Sequence, residues 1–296
     1  MIIEDFIYHK PHSIEEACKL LEHSDNGAPI AGGTDMLVEI KQGLRYHKDI
    51  ISLSAINVLK DILESENNLE IGAGVTHNEV AASLLIKKYF PAISEAASKI
   101  GTDQIRNTGT VGGNLCTGAS CCDMAPILLA LDASVEIASS SEKRNVSLKD
   151  FFIFHKETSL GKGELMTKIV LSKPESKTGA SFEKFGLRET ASISVASTAA
   201  MMKFNNKICT DACIVIGAVA PIPIICNRTN EMLIGKKILD FTEDSETLEQ
   251  AGNLASEDSI PIDDIRGTAV FRRNIIKVLT RRAIINAVKR AESKNN

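Results

Sequence analysis

The 296-residue sequence contains no tryptophan and only three tyrosines, and aromatic residues make up 4% of it. Aromatic platforms on which exposed nucleobases stack are therefore not expected. An excess of charge of one sign is also missing, since 34 Lys and Arg stand against 38 Asp and Glu, for a net charge of −4. Without a basic surplus, neither nucleic acid nor an anionic membrane surface is expected as a partner.

Long hydrophobic runs are absent as well. The longest, near residues 213–226, is interrupted by Pro221 and Pro223 and falls short of the roughly 20 residues that cross a bilayer. The N-terminal stretch lacks a basic segment followed by an apolar one, so no signal peptide is expected. Seven scattered cysteines indicate reduced thiols and a cytoplasmic location. No His or Cys spacing fits a metal site, and none is expected.

Local patterns predict strands and helices in alternation through the first half of the chain. Strands are predicted near 28–31, 50–53, 69–71 and 134–138, and helices near 13–22, 36–41, 76–88, 91–99 and 125–131. A polar stretch with Pro and Gly at 173–179 predicts a domain boundary. Beyond it we predict strands near 193–204 and 208–218 and helices near 245–256 and 268–291. The last helix has apolar residues in one stripe, which predicts a buried face of Phe271, Ile275, Val278, Ile285 and Val288.

Two glycine-rich segments have the composition of anion-binding loops. Glycines let the backbone approach a ligand closely, and successive amides form a concave nest for negative charge. Two such segments in one domain favour the two sides of a diphosphate site, although each alone is also typical of a tight strand–helix turn without a ligand. The first consists of Pro29, Ile30, Ala31, Gly32, Gly33, Thr34, Asp35 and Met36, and the second of Thr110, Val111, Gly112, Gly113 and Asn114.

Asp123 follows the second segment, and two interpretations of it stay open. Its carboxylate could accept hydrogen bonds from ribose hydroxyls, or it could cap the helix predicted near Ala125. Cys121 and Cys122 lie directly before it, and a structural role is expected for both because no histidine partner lies nearby.

Two further blocks lie in the second half of the chain. One is Lys184-Phe185-Gly186-Leu187-Arg188 with Ala191-Ser192-Ile193-Ser194, and the other is Asp264-Ile265-Arg266-Gly267-Thr268 leading into Phe271-Arg272-Arg273. Together with the two glycine segments, they resemble in content and order the FAD-binding subunits of the molybdenum hydroxylases, the superfamily of xanthine dehydrogenase and carbon monoxide dehydrogenase. One departure is Ala119-Ser120-Cys121-Cys122, where that family usually has Ser-Pro-x-Ser.

The resemblance implies an α+β fold. Residues 1–177 would form a two-part FAD-binding domain of the vanillyl-alcohol-oxidase (PCMH) type, with subdomains of about 1–55 and 56–177. Residues 178–296 would form a C-terminal domain of antiparallel sheet and helices, of the CO dehydrogenase flavoprotein type.

The resemblance also implies roles for individual residues. The backbone amides of both glycine segments would hold the FAD diphosphate, and Asp123 would bind ribose or ribityl hydroxyls. Ile100 and Gly101 would lie against the flavin ring. Leu165, Met166 and Lys184 would lie near the isoalloxazine edge, where a cation stabilises negative charge. FAD is expected to be bound non-covalently, since the two segments contain no histidine, and neither a catalytic residue nor a metal ligand is expected in this chain.

The activity implied is electron relay. The chain would take electrons from [2Fe–2S] clusters on an iron–sulfur partner and pass hydride to NAD(P)+, while a molybdopterin-binding partner hydroxylates an N-heterocycle such as nicotinate. Alternatives are the flavin subunit of an aldehyde, CO or xanthine dehydrogenase, a stand-alone FAD-dependent reductase, and a scaffold that has lost its flavin. The cations of the last predicted helix could face solvent or contact an acidic partner subunit.

Overall fold

The computed structural model describes residues 5–293 of the chain. The N-terminal part is a small parallel sheet in the order β1-β3-β2, with one helix after each of the first two strands. Its elements are β1 (Ile7–His9), α1 (Ile14–His23), β2 (Gly27–Ile30), α2 (Met36–Lys41) and β3 (Asp49–Ser52). Helix α1 begins where the Ser13 hydroxyl accepts a hydrogen bond from the Glu16 amide, and it packs Ala17, Cys18 and Leu21 onto the sheet.

A five-stranded antiparallel sheet in the order β4-β5-β10-β6-β7 forms the second part. Its strands are β4 (Ile62–Glu64), β5 (Asn68–Gly72), β6 (Ser134–Ala138), β7 (Lys143–Ser147) and β10 (Leu165–Ser172), and a hairpin of β8 (Phe152–Phe154) and β9 (Glu157–Thr158) lies before β10. Six helices connect β5 to β6: α3 (His77–Ala82), α4 (Leu84–Tyr89), α5 (Pro91–Ser98), α6 (Asp103–Thr108), α7 (Val111–Thr117) and α8 (Met124–Ala130).

Two of these helical regions differ from the sequence-based expectation. The single helix predicted over 76–88 starts where expected, with a capping box of Thr76 and Glu79, but it is interrupted at Ser83. The Ser83 hydroxyl accepts from the Ile86 amide and so starts a new helix. The glycine-rich region 101–123, where no helix was predicted, contains α6 and α7, because Thr102 and Thr110 each cap a helix despite the glycines around them.

The C-terminal part is an antiparallel sheet in the order β11-β12-β13-β14, covered by the long helix α11. Its elements are β11 (Thr178–Phe185), β12 (Ala196–Asn205), β13 (Ile208–Gly217), β14 (Ile224–Ile225), α9 (Asn227–Leu233), α10 (Glu246–Asp258) and α11 (Ala269–Ser293). These sheets and helices confirm the α+β class.

Helix α11 buries a different face from the predicted stripe. Phe271 and Val278 are 39% and 41% exposed, and of the five predicted residues only Val288 is buried. The face that meets the sheet is rich in small residues, among them Ala283, Ala287 and Ala291. A Cβ at Gly179 of β11 would lie 2.0 Å from the Ala287 carbonyl oxygen, so the helix lies too close to the strand for large side chains at this point.

The largest hydrophobic core crosses the middle of the chain. It combines side chains of the five-stranded sheet and its helices, such as Leu128 and Ile169, with Phe182, Ala199 and Val215 of the C-terminal sheet. The two halves are therefore packed through one continuous core. Within residues 5–293, no helix has both the length and the apolar character of a membrane span.

Candidate functional site

The first glycine segment forms the turn between β2 and α2. Gly33 has a φ of +69°, in the left-handed region that favours glycine. Gly32 has no space for a side chain, because a Cβ there would lie 2.0 Å from the Thr108 carbonyl oxygen and 2.8 Å from the Gly109 Cα. The first segment thus lies directly on the residues that lead into the second one, and the region that both glycine segments border is named the cleft.

The two segments differ in the hydrogen-bond donors that they leave free. In the first, the amides of Gly32, Gly33 and Thr34 donate to no acceptor within the described part of the chain. Pro29 and Ile30 end β2 ahead of this turn, Ala31 and Asp35 lie within it, and Met36 begins α2. These unpaired amides give the turn the donors that an anion needs.

The second segment uses its amides inside the protein. The amides of Val111 and Gly112 donate to the carbonyl oxygens of Val75 and Ala73, each at 2.9 Å. The Gly113 and Asn114 amides donate to the side chain and the carbonyl of Thr110, each at 3.0 Å, in the first turn of α7. The first segment therefore leaves more backbone amides free than the second, which can also offer side chains such as that of Asn114, and the expectation that both segments hold a diphosphate stays a prediction.

Asp123 is 6% exposed and is held by groups of the C-terminal half. Lys184 Nζ donates to its Oδ2 at 2.6 Å, and the Ser194 hydroxyl donates to its Oδ1 at 2.5 Å. Burial raises the pKa of Asp123, and the charge and hydrogen bond of Lys184 oppose that rise. Although Asp123 stands directly before α8, its side chain makes no capping hydrogen bond, so the capping interpretation is wrong.

Residues 99–101 lie beside this ion pair. Lys184 Nζ also donates to the Lys99 carbonyl at 3.1 Å. The carbonyl of Gly101, where φ is +48°, accepts from the Ala191 amide at 3.2 Å. The structure therefore brings Ile100 and Gly101 together with Asp123 and Lys184.

Leu165 and Met166 are buried side chains at the start of β10. Each is 3% exposed. Consecutive side chains of a strand point to opposite faces, so Leu165 packs with α1 in a small core while Met166 enters the main one. Both side chains are packed inside the protein, because β10 is the central strand of its sheet, and the assignment of this segment to a flavin edge stays a prediction.

Two features near the cleft were not assigned by sequence reasoning. His77 is 2% exposed, and its amide donates to the Gly109 carbonyl at 3.0 Å. Burial, aided by the positive charge of Arg106, lowers the pKa of His77 to about 4, so the ring is neutral at pH 7. His77 is the first residue of α3, and nothing in the sequence around it signals that its ring is buried.

The second feature near the cleft is a cluster of two arginines around Asp264. Arg266 donates to Asp264 Oδ2 through Nε at 3.1 Å and Nη2 at 2.7 Å, and the buried Arg272 pairs with the other carboxylate oxygen. These guanidinium groups hold the pKa of Asp264 well below its usual range. Arg266 also lies close to the Cys121 side chain, so the fourth sequence block lies at the segment that precedes Asp123. In the sequence, the Asp-x-Arg spacing of Asp264 and Arg266 was the signal that could have indicated this ion pair.

Comparison with known families divides the chain between two of them. Residues 4–174 match the family described as the FAD-binding domain in molybdopterin dehydrogenase, and residues 180–287 match the CO dehydrogenase flavoprotein C-terminal domain.

Individual relatives extend this likeness over nearly the whole chain. The glyceraldehyde dehydrogenase medium chain of Sulfolobus acidocaldarius is 30% identical over 94% of this chain and 97% of its own. The nicotinate dehydrogenase FAD-subunit of Eubacterium barkeri is 32% identical over 79% of this chain and 81% of its own. Among solved structures, a chain of the reconstituted CO dehydrogenase from Oligotropha carboxidovorans is 29% identical, with a TM-score of 0.92 over 98% of this chain and 100% of that one.

Proposed function

Because the chain belongs to the family of FAD-binding subunits of the molybdenum hydroxylases, we propose that it binds FAD non-covalently in the cleft between its two glycine segments. The observation that carries this proposal is the contact of Gly32 with Thr108 and Gly109. That contact sets the three free amides of the first segment beside the second segment, which is the arrangement that a bound diphosphate requires.

The residues around the cleft fit the parts of FAD. A Cβ at Gly113 would meet only the Thr110 hydroxyl, at 2.8 Å, and otherwise open space, so the surface here is free for a ligand. We assign the diphosphate to the amides of Gly32, Gly33 and Thr34 and to the side chain of Asn114.

The buried ion pair of Asp123 and Lys184 suits the parts of FAD beyond the diphosphate, which offer hydroxyl groups and a ring edge that gains negative charge. Each oxygen of Asp123 accepts one protein hydrogen bond, and an ionised carboxylate accepts about four. Asp123 therefore keeps capacity for a ribose or ribityl hydroxyl. Lys184 supplies a fixed positive charge, and Ile100 with Gly101 supplies the wall beside the ring.

We assign the chain to electron transfer within a larger complex. FAD, when bound, exchanges electrons either singly or in pairs, which suits a position between [2Fe–2S] clusters and NAD(P)+. An iron–sulfur subunit and a molybdopterin-binding subunit would be the partners. The proposed substrate of the complex is an N-heterocycle such as nicotinate, which the likeness to a nicotinate dehydrogenase FAD-subunit supports. Aldehyde, CO and xanthine dehydrogenases are the alternatives, since their subunits also match.

The remaining proposals concern organisation and location. We place the domain division at residues 177 and 178, which the limits of the two family matches support, with subdomains of about 1–55 and 56–177 in the first domain. We place the protein in the cytoplasm, which the seven free thiols support.

Flavin analysis of the purified chain tests FAD binding. We expect about one FAD per chain, released into the supernatant when the protein is precipitated with acid. Flavin that stays in the pellet would contradict non-covalent binding, and a chain that takes up no FAD would overturn the cofactor assignment.

The relay assignment has its own test. The chain alone should reduce a dye with NADH or NADPH and should not oxidise nicotinate, because within residues 5–293 no cluster of His, Cys, Asp and Glu side chains could hold a metal. The same assay on the co-purified complex should show nicotinate-dependent reduction of NAD(P)+. Nicotinate oxidation by the single chain would overturn the relay.

A further inference from the structure

The buried residue Cys122 contacts the side chain of Asn114. Its Sγ lies 3.0 Å from Asn114 Oδ1 and 3.4 Å from the Asn114 carbonyl oxygen. The Met124 amide donates to the same Oδ1 at 3.4 Å. Cys122 is 3% exposed, whereas Asn114 is partly exposed. The buried segment 122–124 therefore holds one end of an amide whose other end is open.

The donors at Cys122 and Met124 identify which end of the Asn114 side-chain amide is the oxygen. A backbone N–H can only donate, so the Asn114 atom that faces Met124 is the carbonyl oxygen and not the NH2 group. Burial raises the pKa of the Cys122 thiol far above its ordinary value, so the thiol keeps its proton and is a second donor to that oxygen. With Oδ1 turned inward, the planar amide directs Nδ2 away from the 122–124 segment, and Nδ2 has no acceptor within residues 5–293.

We propose that Cys122 is a positioning residue, which fixes the Asn114 side chain so that its NH2 group donates to bound FAD. The inference rests on the proposed function, since it gives the amide its ligand. Without the thiol, the amide would be held by the single 3.4 Å contact from Met124. It would then also populate the flipped orientation, in which an oxygen instead of two N–H donors faces the negatively charged diphosphate.

Three single variants of the full-length apoprotein test the proposal through the Kd for FAD, measured by quenching of flavin fluorescence. Cys122→Ala removes the donor and should raise the Kd about 3–10-fold, the effect of one lost hydrogen bond. Cys122→Ser keeps a donor and should restore the Kd to within about twofold of the wild type. Cys116→Ala is the matched control, because it removes a neighbouring thiol that makes no hydrogen bond in the described residues, and it should leave the Kd unchanged.

A double-mutant cycle separates positioning from a general loosening of the site. If Cys122 acts through Asn114, then Cys122→Ala should raise the Kd no further once Asn114→Ala is present. An undiminished effect in that background, or a serine variant as weak as the alanine variant, would overturn the positioning role. So would a wild-type Kd in Cys122→Ala. A wild-type chain that binds no FAD would instead overturn the proposed function, so the two failures are distinguishable.

Discussion

Asp123 and Lys184 form an ion pair 2.6 Å long in which each side chain is 8% exposed, although the two residues lie in different halves of the chain. Asp123 belongs to the segment before α8, and Lys184 lies near the end of β11. Removing one member of such a pair leaves the other charge buried without its partner, and this costs far more than the pair as a whole contributes. The pair is therefore a link between the halves as well as a part of the cleft.

Single and double substitutions should show this difference between losing one charge of the pair and losing both. Lys184→Met and Asp123→Asn are each expected to lower the free energy of unfolding by about 3–5 kcal/mol. The double variant should lose clearly less than the sum, because no charge is then left alone. Urea unfolding of the apoprotein at pH 7 measures all three values, and strictly additive losses would show that the two charges do not depend on each other.

The adjacent glycines Gly112 and Gly113 should respond in opposite ways to a side chain. Gly113→Val adds atoms on a side of α7 where only the Thr110 hydroxyl lies close, at 2.8 Å from the added Cβ, so we expect loss of FAD binding by at least about tenfold with a smaller loss of stability than at Gly112. Gly112→Ala would place its Cβ 2.5 Å from the Ala73 Cβ and should cost about 1–3 kcal/mol of stability by overpacking. Normal flavin content in Gly113→Val would contradict the assignment of the second segment to the cleft.

His77 should make the fold sensitive to mild acid. Its pKa is about 4 in the folded chain and 6.5 for an ordinary histidine, so the unfolded state binds the extra proton first. The stability tied to the neutral ring is complete above pH 6.5 and is lost as the pH falls towards 4, by up to about 1.4 kcal/mol per pH unit.

Unfolding free energies between pH 7 and 4 test this expectation. The curve of His77→Gln should be flatter than that of the wild type over this range. His12→Gln, which changes an exposed histidine, should keep the wild-type slope. Parallel curves for the wild type and His77→Gln would show that the ring does not titrate with a lowered pKa.

The cations of α11 divide into those that hold the fold and those that face solvent. Arg290 donates through Nη2 to both carboxylate oxygens of Glu95, at 2.6 and 2.7 Å, and Arg281 donates to the Glu243 carbonyl at 2.7 Å. Arg282 and Lys289 are exposed. Only the second group is available to an acidic partner subunit.

Charge reversal at the exposed pair tests that contact. Arg282→Glu with Lys289→Glu should weaken assembly with the partner subunits at low salt, and the difference from the wild type should shrink as salt screens the charges. Lys87→Glu with Lys207→Glu makes the same change in net charge at other exposed positions and should assemble normally. The measurement is the yield of partner subunits that co-purify with each double variant at two salt concentrations. Equal yields for the two double variants would exclude docking through this face of α11.

Local signals in the sequence predicted local structure well. The capping box of Thr76 and Glu79 starts α3 as expected, and the strand predicted over 134–138 has those limits. Both depend on contacts within a few residues, which a short stretch of sequence contains in full. The two glycine segments also lie side by side.

Other features depend on partners that are distant in the chain. The buried face of α11 was mispredicted because a close approach at Gly179 selects alanines over larger apolar residues. The burial of Leu165 and Met166 in two different cores follows from the strand order, which makes β10 the central strand of its sheet. The partners of Asp123 could not be identified either, since Lys184 and Ser194 become its neighbours only when the C-terminal sheet packs against the first half.

The core that runs through both halves has a consequence for cleavage of the chain. Residues 173–177 form an irregular connection, yet Phe182, Ala199 and Val215 on one side of it pack with Leu128 and Ile169 on the other. A protease that cut this connection would break one peptide bond and leave that packing in place. The two fragments should then run as separate bands under denaturing conditions and elute together, as one particle of unchanged size, under native ones.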